Sequence, residues 1–401
     1  MAQTYFRRGF GLKDHIEGAL AADYHSHVVD RIRERGYALT VGNLTFKLAR
    51  EFGFCYGVDR AVEYAYETRT KFPDKRIFLV GEIIHNPHVN QKLQAMGVRF
   101  LERVDGGAFD FRSITPEDVV LLPAFGVPVQ DFERLRAVGC VLVDTTCGSV
   151  LNVWKRVESY AKEGFTAVIH GKYYHEETKA TSSQVARYPG GRYVVVRDMA
   201  EARAVCRYIE DGGSREAFLA QFGHEASPGF DPDRDLARIG VANQTTMLSG
   251  ESLAIAAELR KSMGRRYGEA ALADHFRTFD TICSATQDRQ DAVLKLIAEP
   301  LDLMVVIGGY NSSNTTHLAA ICQQTVPTYH IEDAACIDVA AGTIRFRPAG
   351  AKEEQQRAGW LPARSLTIGV TAGASTPNNK IGETIERIAA ARGASLEAAL
   401  G

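Results

Sequence analysis

Three cysteines stand in the same local setting, and that recurrence constrains the fold more than any other feature of the chain. Cys55 lies in Gly53-Phe54-Cys55-Tyr56-Gly57, directly ahead of a stretch in which Val58, Val62 and Ala65 share a helical face. Cys147 closes Asp144-Thr145-Thr146-Cys147, after an apolar run at 140–143. It precedes a helix with Val150, Val153, Trp154, Val157 and Ala161 on one face. Cys283 closes Thr281-Ile282-Cys283, and Val293, Leu296 and Ile297 mark the helix behind it. Each helix leads to an apolar strand, at 76–80, 166–169 and 303–307, and each strand runs into a glycine. From cysteine to glycine the counts are 26 (Cys55 to Gly81), 24 (Cys147 to Gly171) and 25 (Cys283 to Gly308). Four residues past the glycines stand His85, His175 and Ser312.

Each unit continues with two more strands, at 98–101 and 119–122, 193–196 and 239–242, and 328–331 and 366–370. Strands alternating with helices of these lengths make parallel sheets from βαβ units. Ligands of such sheets sit outside the carboxyl ends of the strands, where all three thiols and the polar loops fall. The expected fold is α/β, with three pseudo-threefold-related domains and mostly parallel sheets around a shared centre. The expected boundaries are 51–139, 140–278 and 279–375. Residues 1–50 read as an extension with two amphipathic helical stretches, and 376–401 as a C-terminal tail. An insertion at about 211–234 reads as surface loop from its Gly and Pro punctuation.

Composition excludes several classes. A net charge of -2 gives no reason to expect nucleic acid or an anionic membrane as partner. No apolar run approaches the ~20 residues of a membrane span. The N-terminal stretch lacks the apolar core of a secretory signal and the acid-poor look of a transit peptide, so a cytoplasmic protein is expected. The seven cysteines are odd in number, widely spaced and without a CxxC pair, which argues against a disulfide framework.

A lone thiol is usually a small buried hydrophobe, but three equivalent thiols at helix starts are candidate ligands, because a helix N-terminus favours the thiolate. Two groups suit three cysteines without a fourth: zinc with an open position, and an iron–sulfur cluster with one iron lacking a protein thiolate. The surrounding hydroxyls, amides and imidazoles (His85, His175, Thr245, Ser312, Asn314, Ser375) suit a phosphorylated small molecule. Glu177 is the candidate proton donor of a dry site, with Glu176 as its competitor.

At these residues the chain resembles a known family. The ordered set Gly53-Phe54-Cys55-Tyr56-Gly57-Val58, His85-Asn86-Pro87, Asp144-Thr145-Thr146-Cys147, His175-Glu176-Glu177-Thr178, Asn243-Gln244-Thr245-Thr246, Ile282-Cys283-Ser284-Ala285-Thr286, Asn311-Ser312-Ser313-Asn314 and Thr371-Ala372-Gly373-Ala374-Ser375 is similar to that of the 4-hydroxy-3-methylbut-2-enyl diphosphate reductases. These catalyse the last step of the methylerythritol phosphate route to isoprenoids. The resemblance implies a [4Fe-4S] cluster held by Cys55, Cys147 and Cys283, with one iron left open for the substrate. It implies diphosphate contacts from His85, His175, Ser312, Ser313, Asn314 and Ser375. Thr245 would lie near the substrate hydroxyl, Glu177 would supply protons, and ferredoxin or flavodoxin would supply electrons. One position departs from the common bacterial pattern: Phe125, in Ala124-Phe125-Gly126, replaces a histidine and removes one phosphate donor, for which His88 is a candidate substitute. Phe125 and the Arg7-Arg8-Gly9-Phe10-Gly11 stretch both resemble the cyanobacterial and plant branch.

Overall fold

The computed structural model describes residues 4–104, 107–279 and 281–396; the last five residues of the C-terminal tail lie outside the described residues. Two compact units divide the chain. One comprises Met1–Arg8, Asp74–Gly81 and Val98–Cys283, and the other Gly9–Pro73, Glu82–Gly97 and Ser284–Gly401.

The first unit holds two sheets. In one, the strand order is Tyr5–Phe6, Val141–Asp144, Val119–Leu122, Ile77–Val80, Val98–Leu101, all parallel. In the other it is Phe276–Thr278, Ile239–Asn243, Thr166–His170, Tyr193–Val196, again all parallel. The second unit's main sheet runs Thr328–Ile331, Leu303–Ile307, Leu366–Ala372, Leu44–Leu48 in parallel, with Ala38–Val41 antiparallel at its edge. A small antiparallel sheet of Ile337–Asp338, Thr343–Phe346 and Gln355–Ala358 adjoins it in sequence. Central strands are buried on both faces: Leu303, Val305 and Ile307 enter one core cluster, Met304 and Val306 another. This is how a helix-covered parallel sheet packs.

The repeat in the sequence is a repeat in topology. In each main sheet the strand that ends in Gly81, Gly171 or Gly308 lies between the next two strands of its unit. A fourth parallel strand, Val141–Asp144, Phe276–Thr278 or Leu44–Leu48, then borders each trio, and each of these leads directly to a cysteine. The chain therefore leaves the third sheet at Leu48, passes Cys55 and enters the first at Ile77. It leaves the first at Asp144, passes Cys147 and enters the second at Thr166. It leaves the second at Thr278, passes Cys283 and enters the third at Leu303.

Four sequence expectations are corrected. The run at 140–143, read as the start of a second domain, pairs with Val119–Leu122 in the first sheet. Residues 1–50 contain the two helices, Lys13–Tyr24 and His27–Glu34, but they also supply strands to two sheets. The C-terminal segment carries the helix Asn378–Ala390, whose Ile381, Ile385 and Ile388 are core. The segment at 211–234 forms the helix Arg215–Phe222 rather than loop alone. Phe218, Phe222 and Phe230 enter the core of the second sheet, Phe218 at 5.0 Å from the Tyr208 ring centroid. Apolar burial at i and i+4 outweighed the Gly and Pro signals there. Among the described residues no helix is long and apolar enough to cross a membrane.

Candidate active site

In the first unit, Cys147 is the N-cap of the helix Gly148–Lys162, and its N–H donates to Ala124 O at 2.8 Å. Asp144 shapes this approach. Its Oδ1 accepts from Thr146 N (3.0 Å) and Thr146 Oγ1 (2.5 Å), and its Oδ2 accepts from Tyr5 Oη (2.6 Å). Burial pushes the Cys147 thiol above its ordinary value, the nearby Cys283 sulfur adds to this, and the Ser149 and Val150 N–H groups oppose it. At Cys147, then, desolvation outweighs the stabilisation expected from a helix start.

The helix Glu176–Val185 begins at His175, whose Nδ1 accepts the Glu177 N–H at 3.2 Å. The neutral ring therefore carries its proton on Nε2, as a donor. The two acids that follow differ. Glu176 is ion-paired with Arg103 and with Lys179 (3.3 Å). Glu177 is 2% exposed; its Oε1 accepts from Thr245 N at 2.6 Å and its Oε2 from Thr245 Oγ1 at 2.9 Å. Gln244 ties the two loops by accepting from Lys172 N and Thr178 Oγ1, each at 3.1 Å. Thr281, two residues before Cys283, hydrogen-bonds Asn243. Phe125 is buried with its ring 6.4 Å from His175, edge to face. Gly126 behind it has φ +77°, and a Cβ there would collide with Trp154.

The second unit gathers Cys55, His85, Ser312, Ser313, Asn314 and Ser375. Cys55 is the N-cap of the helix Tyr56–Lys71, and its N–H donates to Ala374 O at 3.2 Å, the counterpart of the Cys147–Ala124 bond. Ser375 Oγ donates to His85 O at 3.2 Å. His85 is oriented by Glu82, whose Oε2 lies 2.9 Å from Nδ1 and also accepts from Asn311 Nδ2. Ser312 caps the helix Ser313–Gln323, accepting from Thr315 N. Asn314 Oδ1 accepts from Ala374 N at 2.9 Å, while its Nδ2 is buried with no hydrogen-bond partner among the described residues. A helix N-terminus with an unsatisfied buried donor is suited to an anion. His88 packs edge-on against Tyr24 and is hydrogen-bonded to the Asp23 backbone, so its ring is engaged with the N-terminal helices.

A sequence model of the family described as LytB protein matches residues 46–389. The chain belongs to the LytB family. LytB relatives include the 4-hydroxy-3-methylbut-2-enyl diphosphate reductase of Gloeobacter violaceus, 51% identical over 100% of this chain and 95% of that one. The Thermosynechococcus vestitus protein of the same name is 50% identical over 98% and 96%. Both sources are cyanobacteria, the branch to which Phe125 and the N-terminal motif pointed. Among solved LytB structures, one titled as (E)-4-hydroxy-3-methyl-but-2-enyl diphosphate reductase, the terminal enzyme of the non-mevalonate pathway, aligns with a TM-score of 0.52 at 27% identity, over 86% of this chain and 98% of that one. The E-1-hydroxy-2-methyl-but-2-enyl-4-diphosphate reductase from Plasmodium falciparum aligns with a TM-score of 0.62 at 22% identity, over 85% and 86%, and shares the fold.

The cysteines of this LytB chain can be tested against the two metal groups left open above. None of the seven is in a disulfide. A cluster distributes its thiolates over different irons. Cys147, whose thiolate is disfavoured by burial and by a second sulfur, is the kind of donor that a cationic centre stabilises. This donor chemistry is compatible with the iron–sulfur group of the LytB family.

Proposed function

We propose that this chain reduces 4-hydroxy-3-methylbut-2-enyl diphosphate to isopentenyl and dimethylallyl diphosphate. The observation that carries this reading is the full-length likeness, at 51% identity, to a reductase of that name. Cys55, Cys147 and Cys283 would hold a [4Fe-4S] cluster, and the three-domain, pseudo-threefold arrangement around it belongs to the same proposal. When bound, the cluster supplies electrons one at a time and an open iron that acts as Lewis acid on the substrate hydroxyl. A fourth cysteine would occupy that iron.

The chain's own residues do the rest. His85, His175, Ser312, Ser313, Asn314 and Ser375 bind the diphosphate, supported by the buried Asn314 Nδ2 and the helix start at Ser313. The hydrogen bond from Glu177 N–H to His175 Nδ1 leaves Nε2–H as the phosphate donor. Glu177, once protonated on Oε2, donates across the same 2.9 Å contact to Thr245 Oγ1, which passes its own proton to the leaving hydroxyl. The balance is two electrons and two protons in. The C–O bond breaks, one proton leaves in water, and the other forms a C–H bond on the allyl carbon skeleton. The electron donor is ferredoxin or flavodoxin in this reading.

The test is anaerobic turnover of the allylic diphosphate with a reduced one-electron donor, followed by product analysis. Formation of both five-carbon diphosphates is expected. Iron-loaded protein that leaves the substrate unchanged would contradict the reading and favour a metal sensor.

A further inference from the structure

We propose that Arg289 is the positioning residue for Cys55. It rests on the reading of Cys55 as a cluster ligand. Arg289 lies on the helix Ser284–Ile297, which starts one residue after Cys283, and it is 4% exposed. Its guanidinium donates to main-chain carbonyls: Nε to Gly53 O at 3.2 Å, Nη2 to Gly53 O at 2.8 Å and to Phe54 O at 3.1 Å, and Nη1 to Ala285 O at 2.8 Å. Gly53 and Phe54 are the two residues before Cys55.

The turn is gripped from both sides. Its N–H groups are taken by the neighbouring loop, Gly53 N by Ala372 O (3.4 Å) and Cys55 N by Ala374 O (3.2 Å). Its carbonyls are taken by Arg289. Gly53 has φ +73°, and a Cβ there would meet Asn378 Oδ1 at 2.9 Å, so the turn is pressed close against the start of the helix Asn378–Ala390. The Cys55 thiol emerges from a backbone whose donors and acceptors are both fixed. Arg289 also acts electrostatically on Asp59 in the first turn of the Cys55 helix: burial pushes that carboxyl up and the positive guanidinium opposes the rise.

The function of Arg289 follows from its shape. A planar fork spans two adjacent carbonyls, whereas a lysine ammonium is a point charge that satisfies one geometry at a time. Arg289→Lys therefore keeps the charge but loses the grip, and Arg289→Gln loses both. Either change frees the Gly53–Cys55 turn and leaves the Cys147 loop, held by Asp144 and Ala124, as it was.

The experiment is residue-resolved alkylation of the full-length, cluster-free chain at fixed pH, read by mass spectrometry. Both variants should raise the Cys55 rate about five- to thirtyfold, the factor that follows from losing one or two hydrogen bonds. The Cys147 rate should stay within about twofold, since its own hydrogen bonds are untouched. In iron-loaded protein, iron release to a chelator should accelerate in the same order. An unchanged Cys55 rate, or an equal rise at Cys55 and Cys147, overturns the proposal. If Arg289→Gln fails to fold, Arg289→Lys decides alone. Iron content of the unaltered chain tests the cluster reading separately: its absence would remove the cluster while the alkylation result still stands.

Discussion

Glu176 and Glu177 are adjacent acids with opposite surroundings, and the difference is chemical. Glu176 is tied up by Arg103 and Lys179, whereas Glu177 is buried against Thr245. Glu177→Gln should therefore keep iron content and melting temperature close to the parent and lower kcat by about 10²- to 10⁴-fold, the usual weight of a general acid. Glu176→Gln should cost little turnover. Comparable kcat in the parent and Glu177→Gln would remove Glu177 from its role. The sequence made this pair legible only as two candidates, because the partners that separate them, Arg103 and Thr245, lie tens of residues away along the chain. The cysteines were legible for the converse reason: each sits in a local pattern of strand, thiol and helix. Asn314 was legible as a polar loop residue, but not as one whose carboxamide oxygen is committed to Ala374 N and whose nitrogen is not.

At the scale of elements, the strand trios were readable from their short apolar runs, the first of each ending in a glycine, whereas their order in the sheets was not. The fourth strands were not all recognised. Leu44–Leu48 alternates buried Leu44, Phe46 and Leu48 with half-buried Thr45 and Lys47, a period-2 signal that was present but unassigned. The N-terminal glycine-rich stretch gained a reason only in three dimensions. Glu67, 1% exposed on the Cys55 helix, accepts from Phe10 N at 2.5 Å and Leu12 N at 2.7 Å, and a Cβ at Gly9 would collide with its carboxylate. Glu67→Ala leaves both part-buried N–H groups without their acceptor and should cost about 1–3 kcal/mol. The urea midpoint should fall, and exchange at the Phe10 and Leu12 amides should quicken. An unchanged midpoint would mean that this anchor contributes nothing. A second prediction concerns the loop behind Ser312. His330 is buried with Nε2 2.9 Å from Gly308 O, and burial holds its pKa down to about 4 from 6.5. As pH falls from 6.5 to 4 the unfolded chain binds a proton that the folded chain refuses. Stability is thus complete above pH 6.5 and declines below it, by at most about 1.4 kcal/mol per pH unit. His330→Gln should flatten that decline in urea midpoints measured between pH 7 and pH 5. Equal slopes in parent and variant would contradict the assignment.

At the scale of the whole molecule, the chain passes a cysteine each time it moves from one main sheet to the next. That cyclic hand-over was only half visible in sequence. Spacing marked the thiols as equivalent, but pairing of Val141–Asp144 with the first sheet and of Leu44–Leu48 with the third depends on contacts far apart along the chain. It explains why the N-terminal residues belong to the fold. The central claim is a three-thiolate cluster with one iron open to an allylic diphosphate. Its most direct test is the iron content and Mössbauer spectrum of anaerobically purified chain, with and without the diphosphate. The account predicts a brown protein with about four irons per chain, as a [4Fe-4S] group requires, and a change confined to one iron on adding substrate. Colourless zinc-bound protein, or a cluster spectrum indifferent to the diphosphate, would contradict it.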